Sequence, residues 1–141
     1  MFSIVLLGSC KKYEDNNGIS LKTATGRLTG LWKVERSNGM DYDSLWLANS
    51  NTHIYHTINI TRSGSFEERI VFSDGIPGSG NVAGDTTNIQ WRWGQNKDTL
   101  ILYDEFSVDF SFPITKLTNS EFTYQIFTFS GDLISRECIK L

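Results

Sequence analysis

The chain has 141 residues, a length that suits a single domain, and its formal net charge at pH 7 is −3. Positive and negative residues are mixed along it without a basic patch, which argues against a nucleic-acid partner. Nine Phe, five Tyr, four Trp and twelve Gly, with only two Pro, favour strands and turns over helices.

The first ten residues, MFSIVLLGSC, have the pattern of an export signal. The apolar run from Phe2 to Leu7 is too short to span a bilayer. The next residues, ending at Cys10, complete a Leu-Gly-Ser-Cys stretch that resembles the lipobox of bacterial lipoproteins. The resemblance implies that residues 1–9 are the remnant of a signal peptide and that the Cys10 thiol carries lipid. The protein would then be anchored to the outer membrane of the cell envelope, facing the periplasm or the cell exterior.

Residues 10–27 are polar and have no apolar periodicity, so we predict a lipidated cysteine followed by a flexible tether. The folded domain is predicted to comprise residues 28–141. The second cysteine, Cys138, lies in a strand-like segment and is expected to be a small buried side chain. A disulfide between Cys10 and Cys138 is the alternative in an oxidising compartment.

Eight strand-like segments, separated mostly by short turn-like connections, make up this domain. Several of them alternate between apolar and polar residues, which is typical of antiparallel sheets with one buried face. The predicted strands are Leu28–Arg36, His53–Ile60, Ser65–Phe72, Asn88–Trp93, Asp98–Asp104, Val108–Leu117, Glu121–Phe129 and Leu133–Leu141. Because closing such a meander removes its exposed edges, we predict an all-β, eight-stranded antiparallel up-and-down β-barrel.

Two connections are too long for tight turns. Gly39–Thr52 contains Trp46 between two leucines and has the apolar content to cover an opening of the barrel. Ser73–Thr87 is rich in Gly and is predicted to be a long mobile loop.

Gly30 and Trp32, separated by one residue at the head of the first strand, match the G-x-W signature of lipocalins. On this motif the chain from Leu28 to Leu141 resembles a compact lipocalin-like lipoprotein. The resemblance implies that Trp32 closes one end of the barrel and that Gly30 lets the chain pass close beneath it. An arginine of the last strand, here Arg136, would stack across the Trp face. The resemblance also implies a small apolar or amphipathic ligand.

Charged side chains on the predicted inner face are the candidate ligand contacts. A tight hairpin around Arg62–Gly64 makes His56 and Glu68 diagonal neighbours on an apolar face. The alternation that points Trp32 inward also brings Arg36 inward. Charges on such a face are costly unless paired, so these residues either anchor a ligand's head group or form a satisfied internal ion pair. The aromatic residues predicted to line the interior beside them are Trp91, Trp93 and Tyr124.

Motifs for catalysis or metal binding are absent from the sequence. His53 and His56 point to opposite faces of one strand and cannot bind one metal ion without distortion. There is no nucleophile elbow, P-loop or cysteine–zinc pattern, so we expect no enzymatic activity and no cofactor. Two functions stay open: binding of a small molecule in a hollow barrel, and a protein–protein interaction module of the cell envelope whose barrel is filled by its own aromatic residues.

Lipid attachment at Cys10 is tested by metabolic labelling. Expression of the full-length gene in a Gram-negative host with labelled palmitate is expected to mark the protein, because the Cys10 thiol is the predicted acceptor. The Cys10→Ala variant is expected to carry no label. Labelling of that variant would contradict the assignment.

Overall fold

The computed structural model of the protein describes residues 23–73, 82–106 and 109–141, and of residues 82–85 it describes the backbone alone. The predicted signal remnant, Cys10 and most of the predicted tether lie outside the described residues. So do residues 74–81 of the predicted loop and Val108 of the sixth predicted strand.

The described residues form two helices and nine strands, which pair into one antiparallel sheet. The elements are α1 (Ala24–Leu28), β1 (Gly30–Ser37), β2 (Met40–Asp41), α2 (Tyr42–Ser50), β3 (His53–Ile60), β4 (Ser65–Ser73), β5 (Val82–Trp93), β6 (Thr99–Tyr103), β7 (Asp109–Leu117), β8 (Glu121–Phe127) and β9 (Leu133–Lys140). From β3 onward each strand pairs with the next, and β1 pairs with both β3 and β9. The sheet therefore closes, and the predicted eight-stranded up-and-down barrel is confirmed, with β2 a two-residue extension. To cross a bilayer, a helix would need more length and apolar character than either α1 or α2 has.

The prediction of a long loop over Ser73–Thr87 is wrong for its second half, because β5 begins at Val82. Residues 82–90 of this strand pair with the whole length of β4, from Ser65 opposite Gln90 to Ser73 opposite Val82. The side chains of residues 86–88 are exposed. The first part of β5 is held in the sheet by backbone hydrogen bonds to β4 and not by burial of alternating apolar side chains. Its sequence therefore lacks the apolar pattern by which a strand is predicted.

The connection Gly39–Thr52 contains α2 in addition to β2. The Asp41 carboxylate caps the helix by accepting a hydrogen bond from the Ser44 N–H at 2.7 Å. Asn51 ends it in the left-handed conformation, with φ +53°. The helix packs against β1 and β3, and its Trp46 ring lies 5.3 Å from that of Phe72 on β4.

Trp32 is fully buried at one end of the barrel, as predicted. Its indole N–H donates to the Leu28 carbonyl of α1 at 2.7 Å, and its ring meets that of Phe122 edge-on at 4.9 Å. We call this the closed end. The other side chains that are less than 2% exposed are Leu28, Ile58, Ile60, Leu100, Leu117, Phe122 and Cys138.

The cation above Trp32 is Lys140, and the prediction of Arg136 in this position is wrong. Lys140 Nζ lies 4.7 Å from the Trp32 ring centre and donates to the Arg27 carbonyl at 3.0 Å. A Cβ atom added to Gly30, whose φ is +139°, would lie 2.5 Å from Lys140 Cε. Gly30 suits this position because its φ strains residues that carry a side chain, and because a Cβ here would also displace the end of the Lys140 side chain.

A β-bulge in β1 turns Arg36 away from the interior. Val34 pairs with Cys138 while Arg36 pairs with Glu137, so one extra residue of β1 lies between the two pairs. Val34 and Ser37 are buried, and Arg36 is exposed on the outer face. The prediction that Arg36 points inward is wrong because it assumed an unbroken alternation from Trp32.

Removing the indole of Trp32 is expected to destabilise the barrel strongly. Truncation of a fully buried aromatic side chain costs about 3–5 kcal/mol, so the free energy of unfolding of Trp32→Ala should fall by that amount. Urea denaturation measures it, and the control is Phe129→Ala, because Phe129 is fully exposed. Equal losses of stability in the two variants would contradict the role given to Trp32.

Candidate functional site

The barrel is partly hollow between the closed end and the opposite end, which we call the open end. A cavity of about 180 Å³ lies there, and we call it the interior cavity. Its wall is formed by Phe66, Glu68, Leu100, Leu102, Phe112, Phe122, Tyr124 and Ile126. The wall is thus apolar or aromatic except for one carboxylate and one phenol.

Aromatic contacts keep one side of the interior cavity in place. Phe122 and Tyr124 on β8 stack with their ring centres 5.3 Å apart, and Phe112 on β7 meets Tyr124 edge-on at 6.1 Å. The three rings form a wall on these two strands. Space is left between that wall and Leu102 of β6.

His56 and Glu68 form the polar pair that the sequence predicted. The hairpin register is the predicted one, with His56 opposite Ile70 and Ile58 opposite Glu68. His56 Nε2 lies 2.6 Å from Glu68 Oε1, so the imidazole N–H donates to the carboxylate. The His56 side chain is only 5% exposed, whereas that of Glu68 is 32% exposed and borders the interior cavity. Glu68 therefore connects a buried histidine to the cavity.

Arg136, rather than Arg36, is the arginine close to this pair. It faces inward on β9, opposite Tyr124 on one side and Ser37 on the other. Its guanidinium carbon lies 4.3 Å from the ring centre of Tyr42, the first residue of α2. The Tyr42 ring in turn lies 5.9 Å from that of His56. We call Tyr42, His56, Glu68, Tyr124 and Arg136 the polar cluster.

Hydrogen-bonding capacity is left unused in the polar cluster. His56 Nδ1, Arg136 Nε and Arg136 Nη1 are buried and have no hydrogen-bond partner in the described structure. No ion pair joins Arg136 to an acidic side chain of the described chain. Buried polar groups in folded proteins nearly always have a protein or water partner, so these three nitrogen atoms are where the polar cluster still has hydrogen-bonding capacity to satisfy.

Burial keeps two further groups of this region uncharged. It raises the pKa of the Tyr124 phenol well above its usual value, and the neighbouring Cys138 and Glu68 add to this shift, whereas Arg136 opposes it. Burial also raises the pKa of the Cys138 thiol far above its ordinary value. Tyr124 therefore remains a neutral phenol, and Cys138 a protonated thiol, throughout the physiological range.

Trp91 and Trp93, also predicted as ligand contacts, lie towards the closed end and outside the cavity wall. The indole N–H of Trp91 donates to the Thr61 carbonyl at 2.8 Å, and that of Trp93 donates to the Thr25 hydroxyl at 2.9 Å. Their rings meet edge-on at 5.9 Å. In the described structure both indole N–H groups have hydrogen-bond partners, and both rings pack in or against the core.

The structure thus brings together His56, Glu68 and Tyr124 of the predicted ligand contacts and adds Arg136 and Tyr42. Arg136 was recognisable as a cation on the last strand, but its neighbours depend on the register with β1.

In the described parts of the chain, no group of three or more His, Cys, Asp or Glu residues could hold a metal ion. A scan against models of protein families found no match to this chain, and a search of curated proteins found none either.

The buried state of Cys138 has a direct chemical consequence. In a Cys10→Ser variant, where Cys138 is the remaining thiol, an aromatic disulfide reagent at pH 8 is expected to react only as fast as the protein unfolds. Burial denies access to the thiol, and its raised pKa suppresses the thiolate. Complete reaction in urea is the control. Rapid labelling of the folded protein would show that Cys138 is not in the core.

Proposed function

We propose that this protein is a lipid-anchored component of the cell envelope that binds a small amphipathic molecule inside its barrel, without catalysis. The observation that carries the proposal is the interior cavity, which is apolar over most of its wall and polar at Glu68 and Tyr124, the two wall residues that belong to the polar cluster. An apolar body buried there is stabilised by about 0.8 kcal/mol for each methylene group removed from water. The polar edge can hold a head group by hydrogen bonds.

The size of the interior cavity limits the ligand. Pockets for drug-sized molecules usually measure roughly 300–1,000 Å³, whereas an engineered cavity of about 150 Å³ accepts benzene. A cavity of about 180 Å³ therefore suits a single ring or a short hydrocarbon chain. Porphyrins and other large planar ligands do not fit within it.

The cellular location in this proposal is supported by sequence alone. The Leu-Gly-Ser-Cys stretch ending at Cys10 resembles a lipobox, and a polar segment joins it to the first described helix. The lipocalin-like position of Gly30 and Trp32 at the head of β1, in a chain that forms a closed barrel, agrees with a carrier of small molecules.

One observation favours a second candidate function, docking to another envelope protein. Large apolar side chains are exposed around the turns β6–β7 and β8–β9 at the open end. Phe106 is 84% exposed, and Phe127, Phe129 and Leu133 are exposed as well. An apolar rim of this kind is typical of protein-binding surfaces. A barrel that serves only such docking has no need of a hollow interior.

Blocking the interior cavity distinguishes the two functions. The neutral probe 1-octanol is expected to bind the wild-type protein in isothermal titration calorimetry. Leu102→Phe places extra carbon atoms in the cavity and is expected to weaken binding by about tenfold or more, since two or three methylene groups of the ligand lose their space.

The matched control is Ile101→Phe, because Ile101 precedes Leu102 on β6 and points to the outer face. It is expected to bind octanol as the wild type does. An absence of binding to the wild type, or equal binding by all three proteins, would contradict a ligand site in the cavity. The apolar rim would then be the surface to pursue.

A further inference from the structure

We infer that the protein carries a second binding site, on the outer face of the barrel, and that this site takes a neutral saccharide. The site is a groove of about 340 Å³ beside the end of the β5–β6 ladder, and we call it the outer groove. Six of its seven lining residues carry an aromatic ring, an amide or a carboxylate: Asn88, Gln90, Tyr103, Asp104, Glu105 and Phe106. The inference does not depend on the interior cavity, because the outer groove opens on the opposite face of the sheet.

The outer groove forms where β6 stops pairing with β5. The ladder between these strands ends with Gln90 opposite Tyr103, whereas β5 itself extends further along β4. The Asp104 carboxylate accepts a hydrogen bond from the Phe106 N–H at 2.9 Å, which holds the turn that follows β6. The next pair in the ladder is buried, so Gln90 and Tyr103 point to the outer face.

Tyr103 supplies a flat surface on which a sugar ring can pack. The Arg92 guanidinium lies over the Tyr103 ring, 5.5 Å from its centre, and is itself bonded to the Asp109 carboxylate at 2.8 Å. These contacts restrain the tyrosine side chain, which also lines the outer groove. The C–H groups on the face of a pyranose ring are apolar and pack well against an aromatic ring. A ring that is already restrained loses little conformational entropy when a ligand packs on it.

The polar groups around Tyr103 suit the hydroxyl groups of a sugar. Asn88 and Gln90 are exposed and lie on the same face of β5, two residues apart. The Asn88 carbonyl oxygen accepts a hydrogen bond from the Ser65 hydroxyl at 3.1 Å, which orients this amide. Amides both donate and accept, and the carboxylates of Asp104 and Glu105 accept, so a sugar hydroxyl finds a partner in either role.

The charge of the outer groove disfavours an anionic ligand. Among the described residues that line it, two are acidic and none is basic, and Arg92 is paired with Asp109. A phosphate, a sulfate or an acidic sugar would therefore be repelled. A cation gains little from Asp104 and Glu105, because both are exposed and solvent screens their charge. A neutral, polyhydroxylated ligand makes use of the ring, the amides and the carboxylates together.

Tyr55 provides a matched comparison within the same barrel. Its side chain is 47% exposed on β3, and Lys33 Nζ lies 5.8 Å from its ring centre. An outward-facing tyrosine beneath a cation thus occurs on β3 as well as on β6. Tyr55 does not line the outer groove, whereas Tyr103 does. A ligand that needs the groove therefore distinguishes the two tyrosines.

The test is titration calorimetry of the wild-type protein at pH 7 with four hexasaccharides. Three are neutral (maltohexaose, cellohexaose and N-acetylchitohexaose), and the fourth, hexagalacturonate, is anionic. At least one neutral saccharide is expected to bind, and hexagalacturonate is expected to bind more weakly than that saccharide by about tenfold or more. Tyr103→Ala removes the ring and Gln90→Ala removes an exposed amide, and each is expected to weaken binding by about tenfold. Tyr55→Ala is the control and should bind as the wild type does.

The inference is overturned if none of the three neutral saccharides binds the wild type, or if hexagalacturonate binds as tightly as they do. Equal weakening by Tyr55→Ala and Tyr103→Ala would also contradict it, because Tyr55 lies outside the outer groove. Thermal unfolding checks that each variant is folded. If Tyr103→Ala does not fold, Gln90→Ala decides the question, since Gln90 is exposed, and wild-type affinity in that variant would contradict the site.

Discussion

The pairing of β1 with β9 determines what the barrel contains. It closes the sheet, and its register places Lys140 opposite Trp32 and, beyond the bulge, Arg136 opposite Ser37. A slip of one residue would move every side chain of β9 to the other face. Arg136 would then point to solvent, and the outward-facing Glu137 would enter the interior. The closed end and the polar cluster both depend on this one ladder of hydrogen bonds.

The two halves of the barrel interior differ in how tightly they are packed. Around Trp32 most apolar side chains are buried and the indole N–H groups have partners, so this half supplies stability. Towards the open end, a cavity and a polar cluster with unpartnered nitrogen atoms replace tight packing. Such features cost stability, and natural proteins keep them mainly where function needs them. This contrast is the physical reason for proposing a ligand site in the open half rather than at the closed end.

Local patterns in the sequence were sufficient for the strands and for one polar contact. The turn around Arg62–Gly64 is tight, so the alternation on β3 and β4 determined their register and brought His56 to Glu68. The ladder between β1 and β9 joins residues about a hundred positions apart, and no local signal marks the bulge after Val34. For this reason Arg36 and Arg136 were each assigned to the wrong surroundings. The early part of β5 was missed because it is held by backbone pairing and has no apolar alternation.

Xenon binding can show directly whether the barrel is hollow beside its polar cluster. Xenon enters apolar cavities of about 150 Å³ and is visible in crystals by its electron density. In a crystal of residues 23–141 pressurised with xenon, we expect an atom inside the barrel in contact with Leu100, Leu102 and Phe112. An interior without xenon, with side chains filling the space between β6 and β8, would show that the barrel has no cavity for a ligand.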